Sequence, residues 1–482
     1  MLANASESCT KPTPKSIPCA AESHSLAREV GDNGANSDLP TDIDTPPEQY
    51  TPLIAAQLTE QSKRTDALLS WLTAYGAEFP GLSFEYYATD YRGVKTDHEI
   101  KKGDNAIRIP YGLLITIERA KSSPIGQWIT TITPNMGPQV YVAAMILYER
   151  HTPQSFWTPY LDVFPQSYGC MPLNFDDREL SILRGTTLWR QVLTERRHMR
   201  YEHELLSDAK WFPYSMSEYI WARLVVRTRI FGIRFPDETY SSALVPLADM
   251  LNHISPAPTT WGYSVDGSSF YVRATSDIAS GAQVYDSYGD KSHSTFLMGY
   301  GFVPDGADNN GECAIHVEIN THDILYPMKS KLLARSPPEY ILGLSNLCPV
   351  GLFLTLRIAT ALTPDELDAV LINTADAEKI PRKNICELHE LRAVQLLEEC
   401  LQITMDALRP LNDIIGVTSR NVVNATRVRE TEYAVAGSCL EFCSALRHAI
   451  CNAERAPAMA ALANMYPSAR GYLSRQWSWA GP

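Results

Sequence analysis

The sequence predicts an α+β fold in which a small β-rich domain is split by a helical insertion and followed by an all-α C-terminal domain. Two segments of short strands bounded by turns, at 81–117 and 242–303, are separated by more than a hundred residues with helical periodicity. After about Asn309 the helical pattern returns, and NICELHELRAVQLLEECLQITMDAL is its clearest amphipathic helix. With 482 residues, the chain is long enough for two or three domains.

We divide the chain into a tail at 1–49, a β-rich domain at 50–305 with its helical insertion at about 134–235, and a helical domain at 306–482. The tail has no aromatic residue and carries eight acidic against three basic side chains. Such a segment buries too little apolar surface to offset its ordering entropy, so we expect it to be disordered. A transit peptide is the alternative, because Glu7 is the only acid in the first 21 residues, although no arginine precedes Arg28.

Composition and charge exclude several classes of partner. The net charge of -13 disfavours binding to nucleic acid phosphates, and the apolar stretches are shorter than the roughly 20 residues of a membrane span. The ten cysteines contain no C-x-x-C pair, which favours free thiols in a reducing compartment over a metal site. We therefore expect no metal site and no binding to nucleic acid or membrane. We also expect the chain to be a monomer.

Several motifs occur in a fixed order along the chain. They are RIPYGLLITIERAKSS from Arg108, SFWTPYLDVFP from Ser155, LADMLNH from Leu247, SGAQVYDSYGDKS from Ser280 and YGFV from Tyr300. Together they resemble the SET-domain methyltransferases, in the branch that holds the Rubisco large-subunit lysine methyltransferases and the actin-histidine methyltransferase. The resemblance covers roughly 70–475.

The resemblance implies a SET domain split by a helical insert, a helical substrate-binding domain after it, a protein substrate, and S-adenosylmethionine as the methyl donor. It also implies roles for seven residues. Tyr288 is the expected active-site tyrosine, and the expected cofactor-binding residues are Asn252 and His253, Asp104 at the ribose, Arg229 at the carboxylate, and Tyr300 and Phe302 at the adenine.

Each of these residues also has a structural interpretation. Asn252-His253 can form an Asx turn after a strand, the sequence around Asp104 spells an ordinary turn, and Tyr288 can support a strand end. Arg229 shares its helix with Arg223 and Arg227, each of which can equally be a solvated charge.

Two further positions indicate which type of residue accepts the methyl group. A methyl transfer is an in-line displacement by a neutral nucleophile, and deprotonating a lysine near pH 7 costs roughly 4–5 kcal/mol. In the actin-histidine methyltransferase the positions that shape the imidazole pocket are Asn and Trp, and the matching residues here are Phe231 and Ala248, with Asp249 in the same pocket. An apolar aromatic wall suits the methylene stem of a lysine.

We therefore expect a protein-lysine methyltransferase that acts on a non-histone protein with an accessible lysine. The alternatives are a protein-histidine methyltransferase and a non-catalytic SET scaffold that binds a partner. A zinc-dependent histone methyltransferase is disfavoured because cysteine-rich flanks are missing. The expected compartments are the cytoplasm and the nucleus, with organelle targeting by the tail as an alternative.

Two residues depart from the family pattern, and one tyrosine is assigned to the core. Tyr91 replaces the first glycine of a Gly-x-Gly, and His293 replaces an asparagine after Tyr288. Tyr285 is expected to pack in the core.

Overall fold

The first half of the chain is built from strands and then helices, in the predicted order. The computed structural model describes residues 51–88, 91–305, 311–334, 336–337, 339–371, 387–409, 411 and 419–476, so the predicted tail lies outside the described residues. One helix and four strands come first: α1 (Thr51–Ala74), β1 (Leu82–Ala88), β2 (Tyr91–Thr96), β3 (Asn105–Pro110) and β4 (Ile115–Thr116). Seven helices follow: α2 (Ile117–Ser122), α3 (Pro124–Ile132), α4 (Pro138–His151), α5 (Thr158–Leu161), α6 (Asp177–Ile182), α7 (Thr187–Leu206) and α8 (Met216–Arg229).

The second half returns to strands before a long helical region. Six strands and one helix come first: β5 (Phe231–Arg234), β6 (Tyr240–Leu244), β7 (Asn252–His253), β8 (Thr259–Tyr263), β9 (Ser269–Ala274), β10 (Gln283–Asp286) and α9 (His293–Tyr300). The C-terminal region contains β11 (Glu312–Ile315), α10 (Tyr326–Leu333), β12 (Tyr340–Gly343), α11 (Leu352–Thr360), α12 (Pro364–Leu371), α13 (Glu387–Ala407), α14 (Arg420–Cys451), α15 (Arg455–Met465) and α16 (Arg470–Gln476).

Strands from the two sides of the helical segment pair with each other. The sheets have the orders β1-β2-β10-β7, β3-β9-β8 and β4-β6-β5, so each contains strands from before and after the helices. Only β7 and β10 are parallel among these described pairs. The predicted split of one β-rich domain is therefore present. The helices begin at Ile117 rather than near 134, and β5 falls inside the predicted end of the insertion.

Two large hydrophobic cores lie along the described chain, and a third, small cluster contains Leu325, Ile358, Ala361, Leu367 and Val370. The first contains buried residues from Leu68 to Val303, and the second contains buried residues from Cys313 to Leu473. Helix α14 contributes to both, because its first part packs in the first core and its later part in the second. The C-terminal region is mostly helical as predicted, but it also contains the antiparallel pair β11–β12, so it is not all-α. Since β11 has only four residues, its pattern was too short to predict from periodicity.

A buried charged network stabilises the C-terminal region. Arg357 on α11 donates two hydrogen bonds to Glu390 on α13, with Nε–Oε2 and Nη2–Oε1 distances of 2.7 and 2.8 Å. The Tyr472 hydroxyl donates to the same carboxylate at 2.5 Å. Because both charges are paired and hydrogen-bonded, the network joins three helices without an uncompensated buried charge.

Glu432 on α14 connects three segments of the first core. Its carboxylate accepts hydrogen bonds from the Thr187 N–H at 2.9 Å, from the Thr187 hydroxyl at 3.2 Å and from the Ser294 hydroxyl at 3.0 Å. The Glu432 side chain is 2% exposed. Burial, only partly opposed by these hydrogen bonds, raises the pKa of Glu432 from 4.5 to about 7.

This shift predicts a pH dependence of stability. Because the pKa is higher in the folded state than in the unfolded chain, the folded protein binds more protons between about pH 4.5 and 7. The contribution of Glu432 is therefore fully present below about pH 4.5 and is lost as the pH rises through about 7. We expect wild type to lose on the order of 3 kcal/mol between pH 4.5 and 8, relative to Glu432→Gln, in urea unfolding.

The matched control is Glu430→Gln, which removes an exposed carboxylate from the same helix. Its stability should follow the wild-type profile. Parallel pH profiles of wild type and Glu432→Gln would contradict the predicted role of Glu432.

Membrane spans, metal sites and disulfides are absent from the described part of the chain. No helix there has the length and apolar character that a membrane crossing requires. The same residues contain no group of three or more His, Cys, Asp or Glu side chains placed to hold a metal ion. No disulfide joins any two of the seven described cysteines, and Cys439 and Cys443 are buried on α14.

Candidate active site

A short parallel strand pair brings the predicted Asn-His and Tyr-Gly motifs together. Strand β7 consists only of Asn252 and His253, and it pairs with β10 so that Tyr285 lies beside Asn252 and Asp286 beside His253. Tyr288 follows two residues after β10 ends. The register of a two-residue strand pair therefore determines the positions of three candidate site residues.

Tyr288 forms hydrogen bonds to the two residues that flank Asn252 in the chain. Its backbone N–H donates to Nδ1 of His253 at 3.1 Å, and its hydroxyl donates to the carbonyl oxygen of Leu251 at 2.8 Å. Since Nδ1 of His253 accepts, the ring carries its proton on Nε2 when it is neutral. Burial lowers the pKa of His253 and raises the pKa of Tyr288 well above its ordinary value, so both side chains are neutral at pH 7.

The amide of Asn252 is oriented by strands β2 and β10. Its Nδ2 donates to the backbone oxygen of Arg92 at 2.9 Å and to Oε1 of Gln283 at 2.7 Å. Gln283 lies across Gly93, where an added Cβ would be 2.4 Å from Oε1. Gly93, the retained glycine of the family's Gly-x-Gly, is therefore required for the contact between Gln283 and Asn252.

An aromatic group surrounds His253 and Tyr288. The Tyr300 ring centroid lies 4.5 Å from that of Tyr288, and the Phe296 centroid lies 4.8 Å from that of His253. Phe302 is 6.3 Å from both His253 and Tyr288. The predicted Tyr300 and Phe302 thus lie in one cluster with the predicted Asn-His and Tyr-Gly motifs.

Gly301 lets the chain turn between Tyr300 and Phe302. It ends α9 with a φ of +81°, in the left-handed region that favours glycine. A Cβ at this position would also lie 2.7 Å from Sγ of Cys170. Phe296, which precedes Tyr300 by one helical turn, was not predicted from the sequence. Its spacing of four residues from Tyr300 was the available signal.

Arg229 is the only one of the three candidate arginines that contacts the predicted site residues in the described structure. Its Nη1 donates to Oδ2 of Asp249 at 3.2 Å and to the Asp249 backbone oxygen at 3.0 Å. Arg223 and Arg227 instead form ion pairs with Glu195 on α7. Helix α8 thus ends with one arginine directed to the residues just before Asn252.

The pair of Arg229 and Asp249 is buried and incompletely hydrogen-bonded. The two side chains are 12% and 0% exposed. Tyr160 donates from its hydroxyl to Oδ2 of Asp249 at 2.8 Å. However, Oδ1 of Asp249 and Nε of Arg229 have no hydrogen-bond partner among the described residues. A polar ligand could therefore gain hydrogen bonds at both atoms.

Phe231, predicted to shape the acceptor pocket, packs among aromatic rings. Phe231 begins β5, and its ring lies 5.3 Å from Trp261 in an edge-to-face arrangement and 5.2 Å from Phe270. Ala248 is buried at the start of a short 3-10 helix and belongs to the core against which Phe231 packs. Trp261 and Phe270 were not predicted from the sequence, because their contacts depend on the β8–β9 register.

Asp104 is not joined to this group by any contact in the described structure. It is exposed, and its backbone forms a turn with Lys101 and pairs with Ala274 at the end of the β3–β9 sheet. The turn interpretation describes its observed contacts, and its role at a ribose stays a prediction.

The two unusual residues and Tyr285 lie at the edges of the site. His293 is at the start of α9, where Nδ1 is 2.9 Å from the Thr431 hydroxyl of α14, so the histidine joins the β-rich region to the C-terminal region. Tyr91 is exposed and lies 5.5 Å from Tyr87. The prediction that Tyr285 is in the core is wrong, because it is only half-buried.

A cleft of about 400 Å³ lies next to the Tyr288 loop, between the start of α9 and the β11–β12 pair. Its polar lining includes Lys291, Ser292, Thr295 and Glu312. The cleft therefore borders both the loop that carries Tyr288 and the C-terminal region.

Curated proteins with similar sequences share one description. The chain is 30% identical over 334 residues to the actin-histidine N-methyltransferase of Gallus gallus, a match that covers 65% of this chain and 55% of that protein. It is 29% identical over 347 residues to the protein of the same name from Mus musculus, covering 67% of this chain and 57% of that protein. The chain spans little more than half the length of these relatives. No protein-family model matches the chain.

Solved structures share the fold at lower identity. The SET domain of LSMT bound to lysine and AdoHcy matches with a TM-score of 0.68 and 18% identity, over 82% of this chain and 95% of that chain. The structure of Rubisco LSMT bound to AdoMet matches with a TM-score of 0.65 and 17% identity, over 87% and 97%. These comparisons confirm the resemblance that the motifs indicate: the chain has the SET-domain fold, and its sequence is similar to the branch that holds the Rubisco large-subunit lysine methyltransferases and the actin-histidine methyltransferases.

Proposed function

We propose that the chain is an S-adenosylmethionine-dependent protein methyltransferase. The observation that carries this proposal is the double attachment of Tyr288, which bonds to His253 and to Leu251 on the two sides of Asn252. In a chain with the SET fold, this arrangement holds a neutral phenol and an oriented amide in one place. Holding reacting groups in a fixed geometry is the main requirement of an in-line transfer.

The residues present fit the proposed cofactor. Oδ1 of Asp249 and Nε of Arg229 are a free acceptor and a free donor, which suit the ammonium and carboxylate of an amino-acid group. The rings of Tyr300 and Phe302 offer apolar faces for a nucleobase. When bound, S-adenosylmethionine supplies a methyl group on a positively charged sulfur. We retain Asp104 as a proposed ribose-binding residue.

The residues of the site also favour a neutral nucleophile. Tyr288, Tyr300 and Phe296 surround the site with rings, which exclude water and disfavour a charged amine. Burial raises the pKa of Tyr288 well above its ordinary value, so the phenol can orient the acceptor without adding a negative charge. The side chains of the site thus position the acceptor, exclude water from it and provide a neutral hydrogen-bonding group.

We propose lysine as the acceptor, on a non-histone protein. The support is the pocket wall: Phe231 and Trp261, both half-buried, present apolar aromatic rings above the buried Phe270, and the side chain of Ala248 is small. Such a wall covers methylene groups well and attracts a cationic head. Neither Phe231 nor Ala248 can hydrogen-bond to an imidazole.

Histidine is the second candidate, and the named relatives support it better than they support lysine. Every relative described above is an actin-histidine N-methyltransferase. An imidazole also needs less help to be neutral at pH 7, since its unperturbed pKa is about 6.5. The relatives' names therefore favour histidine, and the pocket residues favour lysine.

Labelled methyl transfer to a protein extract distinguishes these possibilities. We expect the full-length chain to bind S-adenosylmethionine in calorimetry and to label protein when the methyl group carries tritium. Acid hydrolysis of the product should yield methyl-lysine. Methylhistidine without methyl-lysine would refute lysine as the acceptor. No cofactor binding at millimolar concentration would refute the enzymatic function and favour a SET scaffold.

The remaining sequence-based expectations are also proposals. We propose that the chain acts as a monomer in the cytoplasm and nucleus. Mass measurement in solution and fluorescence imaging of the tagged chain would test these two points separately.

A further inference from the structure

Two arginine side chains from distant parts of the chain converge on Met250. Nη2 of Arg92 lies 3.0 Å from the Met250 sulfur, and Nη1 of Arg229 lies 3.2 Å from it. The two nitrogens are therefore at most about 6 Å apart. A thioether is only a weak acceptor and carries no charge, so it does not neutralise either guanidinium.

Only one carboxylate balances these two charges in the described structure. Asp249 accepts from Arg229 and from Tyr160, and it forms no hydrogen bond with Arg92. Arg92 also donates two long bonds of 3.4 Å to the backbone oxygen of Val163, and the hydroxyl of Tyr86 is a further polar neighbour that carries no charge at neutral pH. Burial, with a contribution from the neighbouring Arg229 charge, lowers the pKa of Arg92. The cluster therefore has a surplus positive charge that an anion would stabilise.

This surplus charge lies next to the proposed catalytic residues. The backbone oxygen of Arg92 accepts from Nδ2 of Asn252 at 2.9 Å. Met250 directly precedes Leu251, whose carbonyl accepts from Tyr288. The two guanidinium groups therefore adjoin the backbone that positions both Asn252 and Tyr288.

We propose that Arg92 is a second carboxylate-binding residue, which acts with Arg229 on the amino-acid end of the cofactor. This inference rests on the proposed function. S-adenosylmethionine has a single anionic group, its α-carboxylate, and guanidinium groups match carboxylates in both charge and geometry. Arg92 occupies the middle position of Tyr-Arg-Gly, and the sequence alone predicts no role for it. Its signal in the sequence was weak, because a strand arginine is usually solvated.

A purely structural role for Arg92 is the competing explanation. In that case the side chain only ties β2 to Val163 and Met250, and it also lies 5.1 Å from the Phe84 ring centroid. The two explanations differ in what they predict for ligands with and without a carboxylate. S-adenosylhomocysteine contains the amino-acid end, whereas 5′-deoxy-5′-methylthioadenosine has the same nucleoside and thioether without it.

Calorimetry of these two ligands with Arg92→Met tests the proposal. We expect the affinity for S-adenosylhomocysteine to fall about 10- to 100-fold, as for the loss of a charged hydrogen bond, with the affinity for methylthioadenosine changed less than about 2-fold. Arg119→Met is the matched control, since Arg119 is half-buried, donates to the Leu114 oxygen at 3.0 Å and lies 5.6 Å from a Trp157 ring centroid. It should leave both affinities unchanged.

The possible outcomes separate this inference from the proposed function. Equal losses for both ligands, or no loss for either, would overturn the role of Arg92 while wild-type binding of S-adenosylhomocysteine still supported the function. If wild type binds neither ligand, both proposals fail. If circular dichroism shows that Arg92→Met is not folded, the same comparison is made with Arg92→Lys. Lysine keeps the positive charge but lacks the paired N–H donors of the guanidinium group. We then expect a smaller loss that is again confined to S-adenosylhomocysteine.

Discussion

Tyr288→Phe is expected to reduce the rate of methyl transfer by about 100- to 1,000-fold while the affinity for S-adenosylmethionine stays close to that of wild type. The substitution removes only the hydroxyl, which donates to the Leu251 oxygen at 2.8 Å. The backbone bond from residue 288 to His253 and the ring contact with Tyr300 at 4.5 Å do not depend on that hydroxyl. The loss should therefore appear in the rate of the chemical step and not in binding.

Single-turnover kinetics with labelled cofactor, together with calorimetry, would separate the two effects. Tyr214→Phe is a suitable control, because it removes another buried tyrosine hydroxyl, in the helical segment away from the site. This control should transfer methyl groups at the wild-type rate. A rate for Tyr288→Phe within 2-fold of wild type would show that the hydroxyl takes no part in the transfer.

Residues that act through a local motif could be predicted from the sequence. Asn252, His253 and Tyr288 lie together as predicted, because the motif itself contains the two short strands that align them. Arg229 contacts Asp249, three residues before Asn252, and Phe302 lies beside His253. The pairing of β2 with β10 likewise follows the predicted split of the β-rich domain.

Contacts between distant elements could not be predicted in the same way. Arg92 and Met250 are separated by 158 residues, and their contact depends on how β2 packs against the segment before β7. His293 looked like an unexplained change near Tyr288, yet it contacts Thr431 on a helix 138 residues later. A sequence pattern gives the face and period of an element, whereas such side-chain contacts depend on the register and packing of two elements at once.

The acceptor preference can be tested by exchanging the two pocket residues for those of the actin-histidine methyltransferase. For the double substitution Phe231→Asn and Ala248→Trp, we expect methyl-lysine formation to fall about 10- to 100-fold and methylhistidine to become the main product. The asparagine would supply a hydrogen-bonding amide in place of a ring that packs on Trp261 and Phe270. The tryptophan would replace the small, buried side chain of Ala248 with the indole ring that the actin-histidine methyltransferase has at the matching position.

The measurement is the ratio of methyl-lysine to methylhistidine after hydrolysis of a labelled extract, compared with wild type in the same extract. Phe235→Asn provides the control, because Phe235 lies just after the same strand and packs on Tyr263 at 4.9 Å instead of on Trp261. It makes the same chemical change outside the pocket, so its product ratio should match that of wild type. An unchanged ratio in a folded double variant would show that Phe231 and Ala248 do not select the acceptor. A wild-type product that is already methylhistidine would instead show that an aromatic wall at position 231 accommodates an imidazole, and the hydrogen bond that fixes its tautomer would have to come from another residue.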